Sequence, residues 1–243
     1  MLTKDKRGLI LPLCFLLLES VFFVLIQTTG GRVNEIISFS SVTLAFVFSL
    51  FCLSKDVKSI STSSGLLFTV VSDLFLVIIK PQYKLVAMIF FSFAQLSYFI
   101  RLLYSDSDKD RRIKHTLIRI SASLLAIILT LAVLRDKTDA LSLVSMFYYA
   151  NLIMNIVYAF IHRKDSLIFA VGLVFFILCD TVVGLSVMDG MYFDFAESSL
   201  IYRIIHSDIN LIWLFYVPSQ TLIALSSFEL KLKSKAEKQG TVS

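Results

Sequence analysis

Eight long apolar runs dominate the 243-residue sequence and decide what it can fold into. A helix of roughly 20 residues crosses the hydrocarbon core of a bilayer, so each run predicts one membrane-spanning helix. The runs do not alternate between apolar and polar residues, as the strands of a membrane β-barrel do. We expect an all-α polytopic membrane protein that forms a single domain over residues 1–243, with helices at about 9–27, 36–53, 61–79, 83–103, 116–134, 140–161, 166–188 and 209–228.

The composition excludes an ordinary soluble fold. Apolar residues make up 57% of the chain and charged residues only 17%, whereas about 25% of the residues of a soluble domain are charged. Cys14, Cys52 and Cys179 lie inside apolar runs and show neither a disulfide framework nor zinc-ligand spacing. The three histidines are predicted to lie in loops, apart from one another. We therefore expect no transition-metal site.

The basic residues indicate how the bundle is oriented. Of the 23 Lys and Arg residues, seventeen fall on the side of the bilayer that carries the amino terminus. Cytoplasmic loops are enriched in Lys and Arg, so both termini are predicted to be cytoplasmic. The longest basic stretch, 109–119, is predicted to be a loop near anionic lipid, and we expect no nucleic-acid partner. The predicted location is a bacterial cell membrane, or an endomembrane if the source is eukaryotic.

The longest predicted outer loop is 189–208. Within it, Leu200, Ile201, Ile204 and Ile205 have helical spacing, which predicts a short helix lying in the membrane interface. This segment is either a plain connector or a lid over a lipid entrance.

A short internal repeat relates the two halves of the chain. GLLFTVVSD at 65–73 and GLVFFILCD at 172–180 each place an Asp eight residues after a Gly. In both halves the next predicted helix carries a central glutamine, Gln95 or Gln220. Because three helices separate the two motifs, the halves have the same orientation. The sequence therefore predicts a parallel repeat of four plus four helices.

Polar side chains are predicted to share one layer near the bilayer centre: Glu19, Asp73, Gln95, Asp180 and Gln220. An ionisable residue there costs at least about 2.5–3.5 kcal/mol on insertion scales, so it generally faces the bundle interior and marks a site. Asp73 and Asp180 are the candidate catalytic pair, with a hydrogen-bonded structural clasp as the alternative. Glu19 either positions substrate or water, or bonds a neighbouring helix.

Further polar side chains are candidates for the same cavity: Tyr98, Tyr149, Asn151, Asn155 and Tyr216. For the asparagines, hydrogen bonding between helices is the plainer role. Two carboxyls in one cavity of low dielectric do not both ionise readily. One is therefore expected to keep its proton and act as an acid, while the other stays ionised.

Four stretches carry a family resemblance: SDLFL at 72–76, FSFAQLSYFIRLL at 91–103, FFILCDTVVGL at 175–185 and FYVPSQTLIALS at 215–226. They resemble motifs of the YhhN family, the membrane proteins that include lysoplasmalogenases. The resemblance implies hydrolysis of the vinyl ether bond of a lysoplasmalogen to a fatty aldehyde and a glycerophospho-alcohol, with no cofactor or metal. The partners it implies are a lysophospholipid or another single-chain lipid, and the bilayer itself.

The resemblance can be carried over position by position. Asp73 and Asp180 match the family's intramembrane acidic positions. Tyr98 and Gln220 match its helix 4 tyrosine and its helix 8 glutamine or histidine. Gln95 falls where many members have histidine, and an amide cannot shuttle protons. Either that histidine is dispensable for the chemistry, or this protein has an altered activity.

The chemistry also fits the residues directly. A vinyl ether is hydrolysed by protonation on carbon, and water then captures the oxocarbenium ion, as in glycosidases. One of Asp73 and Asp180 would protonate the alkenyl carbon, and the other would stabilise the cation and orient water. The predicted substrate- and water-positioning residues are Gln95, Tyr98, Gln220, Glu19, Asn151 and Tyr216.

Two other functions use the same residues. A proton- or cation-coupled transporter would relay charge through the Asp pair, and it would show paired half-helices broken by Gly or Pro near the midplane. A non-catalytic lipid-binding protein would keep the fold with a degenerate site, which the glutamine at position 95 favours. The sequence indicates no oligomeric state.

Overall fold

The structure is a computed structural model that describes residues 3–79, 81–163 and 166–240. Within these ranges there is no β-strand, only an isolated bridge between Asp189 and Phe193. The helices are α1 (Thr3–Thr28), α2 (Gly31–Phe51), α3 (Val57–Asp73), α4 (Lys84–Leu103), α5 (Lys109–Leu134), α6 (Ala140–Ile161), α7 (Leu167–Met188), α8 (Leu200–Ile205) and α9 (Leu211–Gly240).

Eight helices of the described chain are long and apolar enough to cross a membrane. They are α1 to α7 and α9, which confirms the predicted all-α polytopic fold. The short α8 lies in the predicted outer loop, where its spacing predicted a helix. Lys80 and Lys164, which were counted among the basic residues, lie outside the described residues, and the cytoplasmic placement of both termini stays a prediction.

The prediction of a loop over 109–119 is wrong. Helix α5 begins at Lys109, seven residues before the predicted start. The Asp108 side chain accepts a hydrogen bond from the Asp110 backbone N–H and so caps the helix. Lysine and arginine are good helix formers, so a charged segment that an apolar window excludes still forms the first turns of the helix. The end of α9 likewise extends beyond the apolar run, to Gly240.

The third spanning segment changes its helical geometry at Asp73. The α-helical part ends there, and Leu74–Ile79 continues as a π-helix, followed by a 3₁₀ turn over Pro81–Tyr83. The Ser72 hydroxyl donates to the Ala87 carbonyl at 2.7 Å and fixes the register of α3 against α4. Short π-helical segments often occur at functional sites, so the change of helical geometry independently indicates Asp73 as a candidate site residue.

Two helix pairs pack most extensively, α3 with α4 and α7 with α9. Helix α9 also packs against α1, α2 and α3, while α6 lies against α4, α5 and α7. Helix α5 packs extensively only against α6, which leaves most of its surface to lipid. Pro218 lies inside the continuous helix α9, so it does not divide α9 into two half-helices.

The two repeat glycines have the same role in the two closely packed pairs. A Cβ on Gly65 would lie 2.2 Å from Cε1 of Tyr98 on α4, and one on Gly172 would lie 2.9 Å from Cγ1 of Ile223 on α9. Tyr98 lies three residues after Gln95, and Ile223 lies three residues after Gln220. The equivalent contacts support the predicted parallel repeat.

We expect Gly65→Ala to lower the stability of the protein by about 1–3 kcal/mol, because the added methyl group would overlap the fully buried Tyr98 ring. Gly184→Ala is the matched control, since a Cβ there meets nothing within 4 Å and alanine favours a helix. Thermal unfolding in detergent measures both variants. Equal melting temperatures for Gly65→Ala and wild type would contradict the close packing of α3 on α4.

Candidate active site

A cavity of about 480 Å³ lies between α3, α4, α5, α6, α7 and α9. It occupies the half of the bundle that carries the 189–208 segment, which we call the outer end after its predicted orientation. Leu129, Val133 and Phe193 line the cavity and are each more than 40% exposed, so the cavity reaches the surface of the bundle.

The deep end of this cavity holds the two predicted carboxyls. On α3 the lining begins at Asp73, and on α7 it begins at Cys179 and Asp180. The remaining lining residues lie toward the outer end, and most of them are apolar. Among the described lining residues, the charged side chains are Asp73, Asp180 and Lys84. The structure therefore brings the predicted acid pair together in one intramembrane cavity.

Each carboxyl has a tyrosine partner from another helix. The Tyr216 hydroxyl on α9 donates to Oδ2 of Asp73 at 2.7 Å. The Tyr148 hydroxyl on α6 donates to Oδ2 of Asp180. Both carboxyls line the same cavity. Asp73 is buried, whereas Asp180 is only half-buried, so Asp180 is the more accessible of the two to a ligand in the cavity.

Aromatic packing holds the two tyrosines in place. The ring centroids of Phe91 and Tyr148 lie 5.8 Å apart, and those of Phe176 and Tyr216 lie 5.6 Å apart. Phe91 and Phe176 contact each other edge to face at 6.0 Å, an arrangement that aromatic pairs prefer. This aromatic cluster joins α4, α6, α7 and α9. Substitution of either tyrosine by phenylalanine would keep the packing and remove only the hydroxyl.

The outer rim of the cavity is a polar clasp between α6 and the 189–208 segment. Asp139 caps α6 and accepts hydrogen bonds from the Ser142 N–H at 2.7 Å and from the Tyr192 hydroxyl at 2.8 Å. Lys137 Nζ donates to the Tyr192 carbonyl at 2.9 Å. Tyr192 and Phe193 line the cavity, so the clasp holds the start of the segment against the cavity rim.

The pKa values of Asp139 and Tyr192 determine the protonation states in this clasp. Burial acts to raise the pKa of Asp139, but the hydrogen bonds from the Ser142 N–H and the Tyr192 hydroxyl outweigh it and lower the pKa below its usual value. Burial, together with the bond to Asp139, raises the pKa of Tyr192 to about 12. At neutral pH Asp139 is therefore an ionised acceptor and Tyr192 a neutral donor.

Of the predicted positioning residues, Tyr216 lines the cavity and the other five do not. Asn151 and Asn155 belong to a separate polar cluster around Arg119 of α5. Arg119 donates to Asn151 Oδ1 at 2.8 Å and to Asn155 Oδ1 at 2.5 Å. Its guanidinium carbon lies 3.9 Å from the centre of the Phe99 ring. The asparagines thus have the plainer role that the sequence allowed, hydrogen bonding between helices.

Gln95 connects this cluster to the cavity indirectly. Asn155 Nδ2 donates to the Gln95 side-chain oxygen at 2.8 Å. The Gln95 side chain also approaches the Tyr148 hydroxyl, although its Nε2 has no hydrogen bond of regular geometry within the described structure. Gln95 therefore lies behind the tyrosine that bonds Asp180. Gln95 does not line the cavity.

Tyr98, Gln220 and Glu19 lie apart from the cavity lining. Tyr98 packs its ring against Gly65 and against the Phe169 ring, 5.5 Å away. The Gln220 amide is buried and has no hydrogen-bond partner among the described residues. Glu19 accepts a hydrogen bond from the Ser41 hydroxyl at 2.6 Å, which joins α1 to α2.

The sequence did not single out Tyr148, Lys84 or Trp213 as site residues. Tyr148 lies on the same helical face as Asn151 and Asn155, at positions i, i+3 and i+7. That spacing is a signal that would have found it. Lys84 and Trp213 reach the cavity only through the packing of α4 and α9, for which the sequence carries no local signal.

The prediction that the histidines lie apart from one another is wrong for one pair. His115 lies in α5 rather than in a loop, and its ring centroid is 6.2 Å from that of His162. His162 Nε2 lies 3.6 Å from Oδ2 of Asp106. Within the described residues, no group of three His, Cys, Asp or Glu side chains is arranged to hold a metal ion.

Fold and site together define a multi-pass α-helical membrane protein with a carboxyl pair at the deep end of an apolar cavity. The model of the YhhN family matches residues 33–227, and the chain therefore belongs to the YhhN family. The matched region contains both carboxyls and all lining residues of the cavity, whereas Glu19 lies before it. No curated protein and no solved structure matches the chain.

Ser145 of α6 lines the cavity and Ser123 of α5 is buried beside Asn151, so cysteines at these positions test both access and orientation. In a background with alanine at the three native cysteines, we expect a membrane-impermeant thiol reagent outside intact cells to label Ser145→Cys. Ser123→Cys should stay unlabelled. Labelling of Ser145→Cys only after the cells are broken would contradict the predicted orientation.

Proposed function

We propose that this protein is an intramembrane hydrolase of the lysoplasmalogenase type, which cleaves the vinyl ether bond of a lysophospholipid. The observation that carries the proposal is the shared cavity, in which Asp73 and Asp180 both line the deep end of a mostly apolar space. Membership of the YhhN family fits the same activity. Apolar walls suit a single-chain lipid, and the carboxyl pair suits acid–base chemistry on an ether.

The reaction needs one proton on carbon and one water molecule. The protonated carboxyl donates its proton to the alkenyl carbon farther from the ether oxygen, and the double bond becomes an oxocarbenium ion. The ionised carboxyl stabilises this cation and accepts a proton from the water that attacks the carbon bonded to oxygen. The resulting hemiacetal breaks its carbon–oxygen bond and moves its hydroxyl proton to the departing glycerol oxygen. The products are a fatty aldehyde and a glycerophospho-alcohol.

These reaction steps exchange the protonation states of the two carboxyls. The acid ends the reaction ionised, and the carboxylate ends it protonated. The repeat places the two carboxyls on equivalent helices, and each has a tyrosine donor, so either one has the chemistry to begin a turnover. Gln95 takes no part in proton transfer in this scheme. Its role is to support Tyr148, for which an amide suffices.

We expect Asp73→Asn and Asp180→Asn each to lower aldehyde release from an alkenyl lysophospholipid at least about a hundredfold, because an amide neither donates nor accepts the required proton. Asparagine has the shape of aspartate, so each variant should still insert and unfold at nearly the wild-type temperature. Aldehyde release by purified protein in detergent measures the effect.

Glu19→Gln is the matched control, since it also neutralises a buried intramembrane carboxyl. Glu19 bonds Ser41 and lies outside the cavity, so the proposed reaction gives it no role. We expect this variant to keep wild-type turnover. If both Asp variants turn over like Glu19→Gln, the proposed reaction is wrong. If wild type binds lysolipid but releases no aldehyde, the lipid-binding alternative replaces the hydrolase.

We expect Tyr216→Phe and Tyr148→Phe to reduce turnover about tenfold each, because each removes one hydrogen bond to a carboxyl and leaves the aromatic packing intact. Tyr158→Phe is the control on α6, since its hydroxyl donates to the His115 carbonyl away from the cavity. Unchanged turnover in both test variants would show that the tyrosines only hold the helices together.

A further inference from the structure

Among the described lining residues of the cavity, Lys84 is the basic one, and the proposed reaction gives it no role. We propose that Lys84 binds the phosphate of the lipid whose vinyl ether bond lies between Asp73 and Asp180. This inference rests on the proposed function, and it names the chemical group that selects the substrate. Lys84 is then the residue that distinguishes a lysophospholipid from an ether lipid without a phosphate.

The height of Lys84 in the cavity follows from the register of α3 and α4. The Ser72 hydroxyl bonds the Ala87 carbonyl, so Ala87 lies level with the residue before Asp73. Lys84 is three residues before Ala87, which places its Cα about 4.5 Å nearer the outer end at the usual helical rise. A lysophospholipid separates its ether oxygen from its phosphate by only the glycerol carbons. An ether at the carboxyls therefore brings the phosphate to the level of Lys84.

The charges in the cavity also favour a phosphate at this position. Asp73 and Asp180 alone would repel an anionic ligand, and the ammonium of Lys84 is the cation among the described lining residues that offsets this repulsion. Lys84 is half-buried, and its side chain makes no hydrogen bond or ion pair with another described residue. Its ammonium is thus available to a ligand, in a site where an apolar surround strengthens electrostatic attraction.

The position of the phosphate also fixes how the lipid lies. With its head group toward the outer rim, the hydrocarbon chain follows the apolar wall, because most of the lining between the carboxyls and the rim is apolar. Leu129, Val133 and Leu141 line that wall. The ligand therefore enters with its head group on the outer side, as a lipid of the outer leaflet does in the predicted orientation.

Trp213 provides a direct measurement of binding. It is the only tryptophan of the chain, it lines the cavity, and it contacts the ring of Tyr216, the tyrosine bonded to Asp73. The experiment titrates the full-length protein in detergent with two saturated ethers, 1-alkyl-lysophosphatidylethanolamine and 1-alkylglycerol, and follows tryptophan fluorescence. Neither ligand has a vinyl ether bond, so the measurement does not depend on catalysis.

We expect wild type to bind the phosphate-bearing ether at least about tenfold more tightly than the alkylglycerol, in line with the strength of a charge-assisted hydrogen bond. Lys84→Gln should remove this preference and leave alkylglycerol binding unchanged. Lys84→Arg should retain it. Arg203→Gln, which neutralises an exposed cation at the same end of the bundle, should behave as wild type.

Three outcomes would overturn the inference. Equal binding of the two ethers by wild type would show that no phosphate site exists, whatever the folding of the variants. A preference that survives in Lys84→Gln would assign the phosphate to another residue. If sn-glycerol 3-phosphate changes the fluorescence at the same concentration as the ether lipid, the site is one for free phosphate esters. If wild type prefers the phosphate-bearing ether but releases no aldehyde from an alkenyl lysophospholipid, only the proposed hydrolase function is contradicted.

Discussion

The cost of burying ionisable groups in hydrocarbon governs the rest of this structure. A carboxyl away from water needs a hydrogen-bond donor, and here each of the two central carboxyls receives one from a tyrosine on another helix. Those tyrosines in turn need fixed rings, which the aromatic cluster of Phe91 and Phe176 supplies. Helices α3, α4, α6, α7 and α9 therefore meet where they do because Asp73 and Asp180 need partners. The same requirement explains Arg119, whose guanidinium is bonded by asparagines and stacked on an aromatic ring.

Much of the fold could be predicted from the sequence because a helix needs about 20 apolar residues to cross the bilayer. Helix α6 has the bounds predicted from its apolar run, since Asp139 caps one end and polar residues follow the other. Helix α5 was predicted too short because its first turns are charged, and hydropathy cannot distinguish a charged helical turn from a loop. The π-helix after Asp73 has no counterpart in the hydropathy pattern at all.

The candidate site was only partly predictable. The repeat identified Asp73 and Asp180 because each follows a glycine that lets two helices approach closely. Depth in the membrane, however, does not specify direction around a helix. Glu19, Gln95 and Gln220, which were predicted to share a layer with the two carboxyls, lie outside the cavity lining, and so do Tyr98 and Asn151. Conversely, Lys84 and Trp213 reach the cavity through contacts between helices that are distant in sequence, which no local pattern encodes.

The two halves of helix α5 are attached to the bundle by different kinds of contact. Its inner half is joined to α6 by the bonds from Arg119 to Asn151 and Asn155, whereas its outer half contacts the bundle through apolar side chains such as Leu129. Polar bonds in hydrocarbon resist sliding, and apolar contacts facing lipid exchange readily for lipid tails. The part of the cavity wall that α5 supplies is therefore attached to the bundle through weaker contacts than the inner half of the same helix. Those contacts are separate from the hydrogen bonds that hold the carboxyl pair, which come from α6 and α9.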